Sequence, residues 1–504
     1  MSDFKSTIDS AFAFQGDSII LGTAMVDKAA VEKTLVKLPL NMVSRHGLIA
    51  GATGTGKTKT IQVLAESLSQ KGIGVLLMDI KGDLSGIGRP GTENPKITDR
   101  AAKIGIEWKP NQFPIELMSI SKEKGLRLRA TVSEFGPLLL SKILELNDNQ
   151  QGAVTIVFKF CDDHQMPLLD IKDFREALRY LTNEGKDQIK EYGAITSATS
   201  GVIMRKLLEV EQQGGDVFFG EKSFEVNDLL RKDGNGHGYL SVIRLCDIQD
   251  KPKLFSTFML CLLAEIYKSF PELGDKAVPK LAIFIDEAHL IFKDATKALM
   301  DQLEQVIKLI RSKGVGIYFC TQVPSDIPES VLGQLGSKIQ HAMRAFTAND
   351  RKDIKLVAQN YPETEFYKTE SLITEMGIGE AMISVLNEKG IPAPLVHVLL
   401  SPPTTRMDVL TTDEQDQIVS TSSIAASYNQ VIDRTSAYEM LTKKMQPENS
   451  NGKEIPKTVV QDDKDSGMNI AGTIAAVTKN PIVKQVAREV TRGLLGMLFG
   501  TKKR

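Results

Sequence analysis

Residues Gly51 to Thr58 read Gly-Ala-Thr-Gly-Thr-Gly-Lys-Thr, with the apolar run Leu48-Ile49-Ala50 before them and Ile61, Val63 and Leu64 at helical spacing after them. A buried strand, a glycine-rich turn and a helix in that order form a phosphate-binding loop. Gly51, Gly54 and Gly56 let the backbone of Ala52, Thr53 and Thr55 curl so that successive N–H groups converge on phosphate oxygens. The helix beginning near Lys57 adds its positive end. Lys57 supplies a point charge to the β- and γ-phosphates, and the Thr58 hydroxyl offers one ligand to Mg²⁺, a cation that otherwise keeps water and phosphate oxygens. A chain built around this loop is expected to use a nucleoside triphosphate and to fold as a strand-and-helix alternation.

The rest of the composition narrows the setting. The 504 residues are 42% apolar, enough for one large core with insertions or for two to three domains. With Lys+Arg 62 against Asp+Glu 63 the net charge is −1, so no global basic field draws the molecule to nucleic acid, and any DNA contact must be local. Cys161, Cys246, Cys261 and Cys320 are far apart and form no C-x-x-C pair, which argues against a disulfide framework or a zinc site. The first residues lack a charged-then-apolar signal, and no apolar stretch reaches the ~18 residues that span a bilayer. A cytoplasmic location is the expectation.

Along the chain, residues 1–46 hold two short apolar pieces, Ser18–Gly22 and Val36–Leu40, and read as a β-rich lead-in. The first part of the core, 47–112, contains the phosphate loop, a helix stopped by Gly72, and the buried strand Val75–Asp79. Residues 113–235 read as a helical insertion. Strand patterns resume over 236–405 at Gly238–Leu245, Leu281–Asp286, Gly316–Thr321, Ile339–Ala345, Glu380–Leu386 and Ala393–Leu400. Near-continuous apolar strands alternating with helices specify a parallel sheet covered on both faces, an α/β fold. Residues 406–446 read as a helical extension, 447–479 as a polar, disordered linker, and 480–504 as a basic amphipathic helix. That last helix raises the alternative of contact with an anionic membrane surface.

The run Leu281-Ala282-Ile283-Phe284-Ile285 delivers Asp286 and Glu287 to a strand's C-terminal edge, where open α/β sheets bind ligands. Successive side chains diverge, so Asp286 is the candidate for Mg²⁺ and Glu287 for polarising the attacking water. Gln322, ending a further buried strand, can hydrogen-bond that water or the γ-phosphate. Asp79 ends the second strand beside the phosphates, with Lys81, Gly82 and Asp83 after it. Phosphoryl transfer also needs positive charge on the equatorial oxygens, often from a neighbouring subunit, and Arg311 and Arg344 are the candidates. Asp79-Ile80-Lys81-Gly82 fits D-x-x-G, but no N-K-x-D guanine clamp follows, so ATP is the expected nucleotide. Asp286-Glu287-Ala288-His289 spells the box of two-lobed helicases, and Ser197-Ala198-Thr199 another of their motifs. In those helicases the second motif follows the box, whereas here it precedes it, which leaves a single ATPase lobe.

Taken together, the loop Gly51–Thr58, the strand ending at Asp79, the long helical insert, Phe284–Leu290, and Arg311–Gly316 before a strand ending Thr321-Gln322 resemble the HerA/FtsK ATPases. Phe135–Ser141, Glu211–Asp216, Phe218–Glu221 and Leu332–Gly336 are similar to the YjgR-type, HerA-like bacterial proteins. The resemblance implies a RecA-like core, ATP and Mg²⁺ as cofactors, and a homo-oligomeric ring, usually of six subunits. It matches Lys57, Thr58, Asp286, Glu287 and Gln322 to triphosphate, metal, water and sensor positions, and Arg311 to the subunit-bridging arginine. HerA translocases carry a β-barrel ahead of this core, and the 46-residue lead-in is expected to supply only a fragment of it. Two functions follow as expectations: a ring-shaped DNA motor, or an ATP-gated remodelling or membrane-associated assembly protein that does not act on nucleic acid.

Overall fold

A computed structural model describes residues 2–445 except 249, 275–277, 293–296, 431 and 433. The linker 447–479 and the basic helix 480–504 lie outside the described residues. The chain divides into two compact units. The first is Met1–Arg129, Gln213–Phe218 and Lys222–Val431, and the second is Ala130–Gln212, Phe219–Glu221 and the chain from Ile432.

The first unit is organised on one twelve-stranded sheet. Its strands are β1 (Ser18–Val26), β2 (Ala29–Pro39), β3 (Gly47–Ala50), β4 (Gly74–Asp79), β5 (Ile115–Ser119), β6 (Leu126–Arg127), β7 (Leu240–Arg244), β8 (Leu281–Ile285), β9 (Val315–Thr321), β10 (Ser337–Gln340), β11 (Glu380–Ser384) and β12 (Val396–Leu400). The order is β2-β1-β12-β11-β10-β3-β9-β8-β4-β7-β5-β6. From β10 to β6 every pairing is parallel, and from β10 to β2 every pairing is antiparallel. The central strands β3, β4, β8 and β9 are buried along their whole length, as two helix-covered faces require.

The lead-in opens with the helix Ser2–Ala11 before its two strands. β1 and β2 form a hairpin around Asp27 and Lys28, whose φ angles of 49° and 63° suit a two-residue turn with left-handed residues at both centres. Rather than starting a separate barrel, β1 pairs with β12 and lengthens the same sheet.

Helical structure begins later than 113, because 113–129 carries β5 and β6 at the far end of the sheet. The second unit, from Ala130, is built on helices Val132–Ile143, Asp148–Asp163, Ile171–Thr182, Ser197–Val210 and Ala437–Met445. Three of these open with a capping box, on Thr131 and Glu134, Asn147 and Gln150, and Asp170 and Asp173, so two orphan backbone donors at each start are satisfied reciprocally. The Ser197–Thr199 triplet is the first turn of such a helix, with Thr196 as its cap. The helical extension expected over 406–446 carries three separate helices: Thr412–Thr421, Ala425–Asn429 and Ala437–Met445.

One buried side chain ties the foot of β3 to its neighbours. His46 Nδ1 accepts the Ile317 N–H and its Nε2–H donates to Ile307 C=O, both at 3.0 Å, which fixes a neutral tautomer. Burial, opposed by the Ile307 bond and reinforced by nearby Arg311, lowers its pKa from 6.5 to about 4. The unfolded ring therefore takes up a proton first as pH falls. Stability is unaffected above neutrality and drains between pH 6.5 and pH 4, by about 3 kcal/mol for this ring in full. We expect the wild-type urea midpoint to fall more between pH 7.5 and pH 5.0 than that of His46→Gln, which is less stable at pH 7.5 but cannot titrate.

Candidate functional site

β3 ends at Ala50 and the helix Lys57–Gln70 begins seven residues on, so the loop between them closes at the C-terminal edge of the parallel strands. Gly51, Gly54 and Gly56 all have positive φ, at 149°, 78° and 112°. At Gly51 a Cβ would lie 2.5 Å from the His341 Cβ, so close approach as well as torsion demands glycine there. The Lys57 ammonium lies inside the curve of the loop, donating to Gly51 C=O at 2.7 Å and Ala52 C=O at 3.2 Å. The Thr58 hydroxyl donates to Asp83 Oδ2 at 3.2 Å.

The acids gather where β4 and its neighbour β8 end. Asp79 is fully buried and turned inward, its two oxygens accepting the N–H groups of Gly82 (2.8 Å) and Leu84 (3.2 Å). It shapes the turn that presents Lys81 and Asp83, at the end of β4 where the sequence placed it. Burial, with the nearby Asp83 charge, raises its pKa to about 7 despite those two hydrogen bonds. Asp286 is also raised, by burial first and then by Glu287. Glu287 sits in the left-handed region at φ 46°, uncommon for a residue with a side chain, and its carboxylate pairs with the Lys81 ammonium and lies 3.4 Å from His289 Nδ1. Burial alone would lower Lys81, but Glu287, Asp286 and Asp83 together raise it.

Among the buried oxygens of this cluster that lack a hydrogen-bond donor are Asp83 Oδ1 and Asp286 Oδ2. Together with the Thr58 hydroxyl they are the hard oxygen donors that Mg²⁺ takes from a protein while phosphates and waters complete its shell. Among the described residues no group of three or more side chains forms a closed metal cage, and such a shared site needs none. The residues present therefore fit the cation.

The remaining candidates are spread. Gln322 follows β9 directly and is exposed at the same edge. Arg344 is exposed beyond β10, also on the phosphate-loop edge, and donates to Thr374 C=O at 2.9 Å. Arg311 stands before β9, at the opposite edge of the sheet. The seven-residue strand between them places its backbone about 20 Å from the acids of its own chain. His341 was not foreseen. It is buried beneath the loop, its N–H donating to Ala50 C=O (2.7 Å) and its Nε2 lying 3.0 Å from the Thr60 hydroxyl, and a lone histidine at a strand end gives no sequence signal for that.

The chain matches the family described as Helicase HerA-like C-terminal over residues 25–504. It belongs to that family. The resemblance to the HerA/FtsK ATPases read from its motifs holds at the level of that family. It is 22% identical over 370 residues to a protein named DNA double-strand break repair helicase HerA from Sulfolobus acidocaldarius, a match covering 72% of this chain and 66% of that one. It is 24% identical over 372 residues to the protein of the same name from Sulfurisphaera tokodaii, with the same two coverages. The chain therefore spans slightly less than two thirds of the length of these relatives. Among solved structures it resembles the bacterial conjugative coupling protein TrwBΔN70 in its unbound monoclinic form, with a TM-score of 0.50, 14% identity, and coverage of 81% of this chain and 95% of that one. That likeness concerns the fold, a parallel-dominated sheet with flanking helices. No helix among the described residues is long and apolar enough to cross a membrane.

Proposed function

We propose that this chain hydrolyses ATP and uses the energy to move along DNA, as one subunit of a homo-oligomeric ring. The observation that carries the proposal is the convergence, at one sheet edge, of the phosphate loop, the Thr58–Asp83 hydrogen bond and the paired acids Asp286 and Glu287, in a chain of the HerA-like family. The names of its relatives, which call them repair helicases, support DNA as the track. A net charge of −1 requires the DNA contact to be a local patch.

In this reading the backbone N–H groups of Gly51–Gly56 and the Lys57 ammonium hold the β- and γ-phosphates. Lys57 must leave its loop carbonyls to do so, exchanging two neutral acceptors for charged ones, which are the stronger partners. Thr58 and Asp286 would hold Mg²⁺, whose charge, when bound, neutralises the phosphate oxygens. Glu287 accepts a hydrogen bond from the attacking water and orients it, and Gln322 senses the γ-phosphate from the next strand. Arg311 acts on a neighbour's triphosphate, since its own lies across the sheet, and Arg344 lies on the edge where it serves its own site.

The test is phosphate release by the purified full chain with ATP and Mg²⁺, with and without duplex DNA at low salt. We expect turnover that EDTA abolishes and DNA raises several-fold. Turnover indifferent to DNA but raised by anionic vesicles, and losing that rise on removal of 480–504, would favour the membrane-associated alternative. A cytoplasmic location accords with the DNA reading.

A further inference from the structure

A turn far from the phosphate loop in sequence is built against it on the side away from the acids. Gly379 N–H donates to Thr55 C=O at 3.0 Å, and a Cβ on Gly56 would lie 3.3 Å from the Gly379 nitrogen. From behind, Arg100 of the helix Pro95–Ile104 donates to Ile378 C=O (3.1 Å), Gly379 C=O (2.9 Å) and Leu400 C=O (3.3 Å). Gly377 N–H donates to Glu380 Oε2 at 2.9 Å, and His397 Nε2 lies 3.0 Å from the same oxygen. Gly379 has φ 74°, and a Cβ on it would come within 2.6 Å of Arg100 Nη1. The turn is thus fixed against the loop by a half-buried cation and by glycine geometry.

Its middle residue is what this anchoring presents. Ile378, between two glycines, is 71% exposed, so its side chain adds little to the core of its own unit. One exposed isoleucine means nothing alone. Here it sits on a turn hydrogen-bonded to a phosphate loop, and the sheet order supplies a direction. β9, β8 and β4, with the acids at their ends, lie on one side of β3, and β10 and β11, with the turn, lie on the other. A triphosphate whose γ end faces Asp286 and Glu287 sends its α-phosphate and nucleoside toward the opposite flank.

We propose that Ile378 is a nucleoside-contacting residue, its side chain packing on the base or ribose of the bound nucleotide from a turn that Arg100 holds in place. This rests on Gly51–Thr58 being the ATP site and adds the wall that receives the part of the ligand the loop does not touch. Bases and sugars both present apolar faces, so an aliphatic side chain recognises them by area and needs no hydrogen bond.

The test is calorimetric titration of the full chain, wild type, Ile378→Ala and Ile378→Leu, with Mg-ATP, ADP and inorganic tripolyphosphate. Ile378→Ala should weaken ATP and ADP by about five- to tenfold and leave tripolyphosphate unchanged, and Ile378→Leu should bind like wild type. Because the side chain is exposed, neither substitution disturbs the core. Unchanged ATP affinity in Ile378→Ala overturns the proposal. An equal loss for tripolyphosphate overturns it too, by reducing the turn to a prop for the loop. A wild-type chain that binds none of the three overturns the ATP-site reading itself, and this inference with it.

Discussion

Glu287→Gln should slow ATP hydrolysis by about 10²- to 10⁴-fold while ATP still binds within a few-fold of wild type. The exchange keeps the size of the side chain and one acceptor oxygen, and removes the charge that orients water. Glu287 is buried, lies with Asp286 in the turn that follows β8, and faces Lys81 and His289, so its carboxylate has a defined position before any substrate arrives. Loss of the charge unpairs Lys81, which Asp83 and Asp286 can still neutralise. Single-turnover hydrolysis beside a binding titration separates the two effects. Binding lost together with hydrolysis would move Glu287 from the water to the metal or the fold.

The second large effect belongs to Arg311. Arg311→Ala should bind ATP but hydrolyse it roughly 10³-fold more slowly, the usual consequence of losing a trans-acting arginine. The strand β9 separates Arg311 from the acids of its own chain, so in the proposed ring its contribution would come to a neighbouring subunit's site. Mixing inactive Lys57→Ala with inactive Arg311→Ala subunits should therefore restore part of the activity, because an intact Lys57 site can then face an intact Arg311. No residue acting in its own site can produce that complementation. If mixed rings form and stay inactive, or if a monomer turns over normally at saturating ATP, Arg311 has no such role.

The placement of the candidate site was legible in the sequence where its residues are neighbours along the chain. Gly51–Thr58 and Asp286-Glu287 each follow an apolar run, and both runs are buried strands ending at one edge. What escaped depends on partners distant in sequence. β5 did not read as a buried strand because Glu116 interrupts Ile115–Ser119. In the fold that carboxylate is 1% exposed and bonded at 2.6 Å to Arg231, more than a hundred residues away. The role of Asp83 likewise needed the Asp79-centred turn that brings it to Thr58. The helical extension read as continuous because its apolar spacing carries on through the breaks. Ser422 and Gln430 nevertheless leave the helix in extended conformation, and Tyr428 is drawn down to Asp228 at 2.7 Å.

The central claim, that ATP hydrolysis at this edge drives movement on DNA, is tested most directly by displacement of a third strand from a triplex placed along a duplex. With ATP and Mg²⁺ the wild-type chain should release the strand, faster as the protein is raised to ring-forming concentration, and Lys57→Ala and Glu287→Gln should release none. A chain that hydrolyses ATP at the same rate with and without duplex, and leaves the third strand in place, would contradict it.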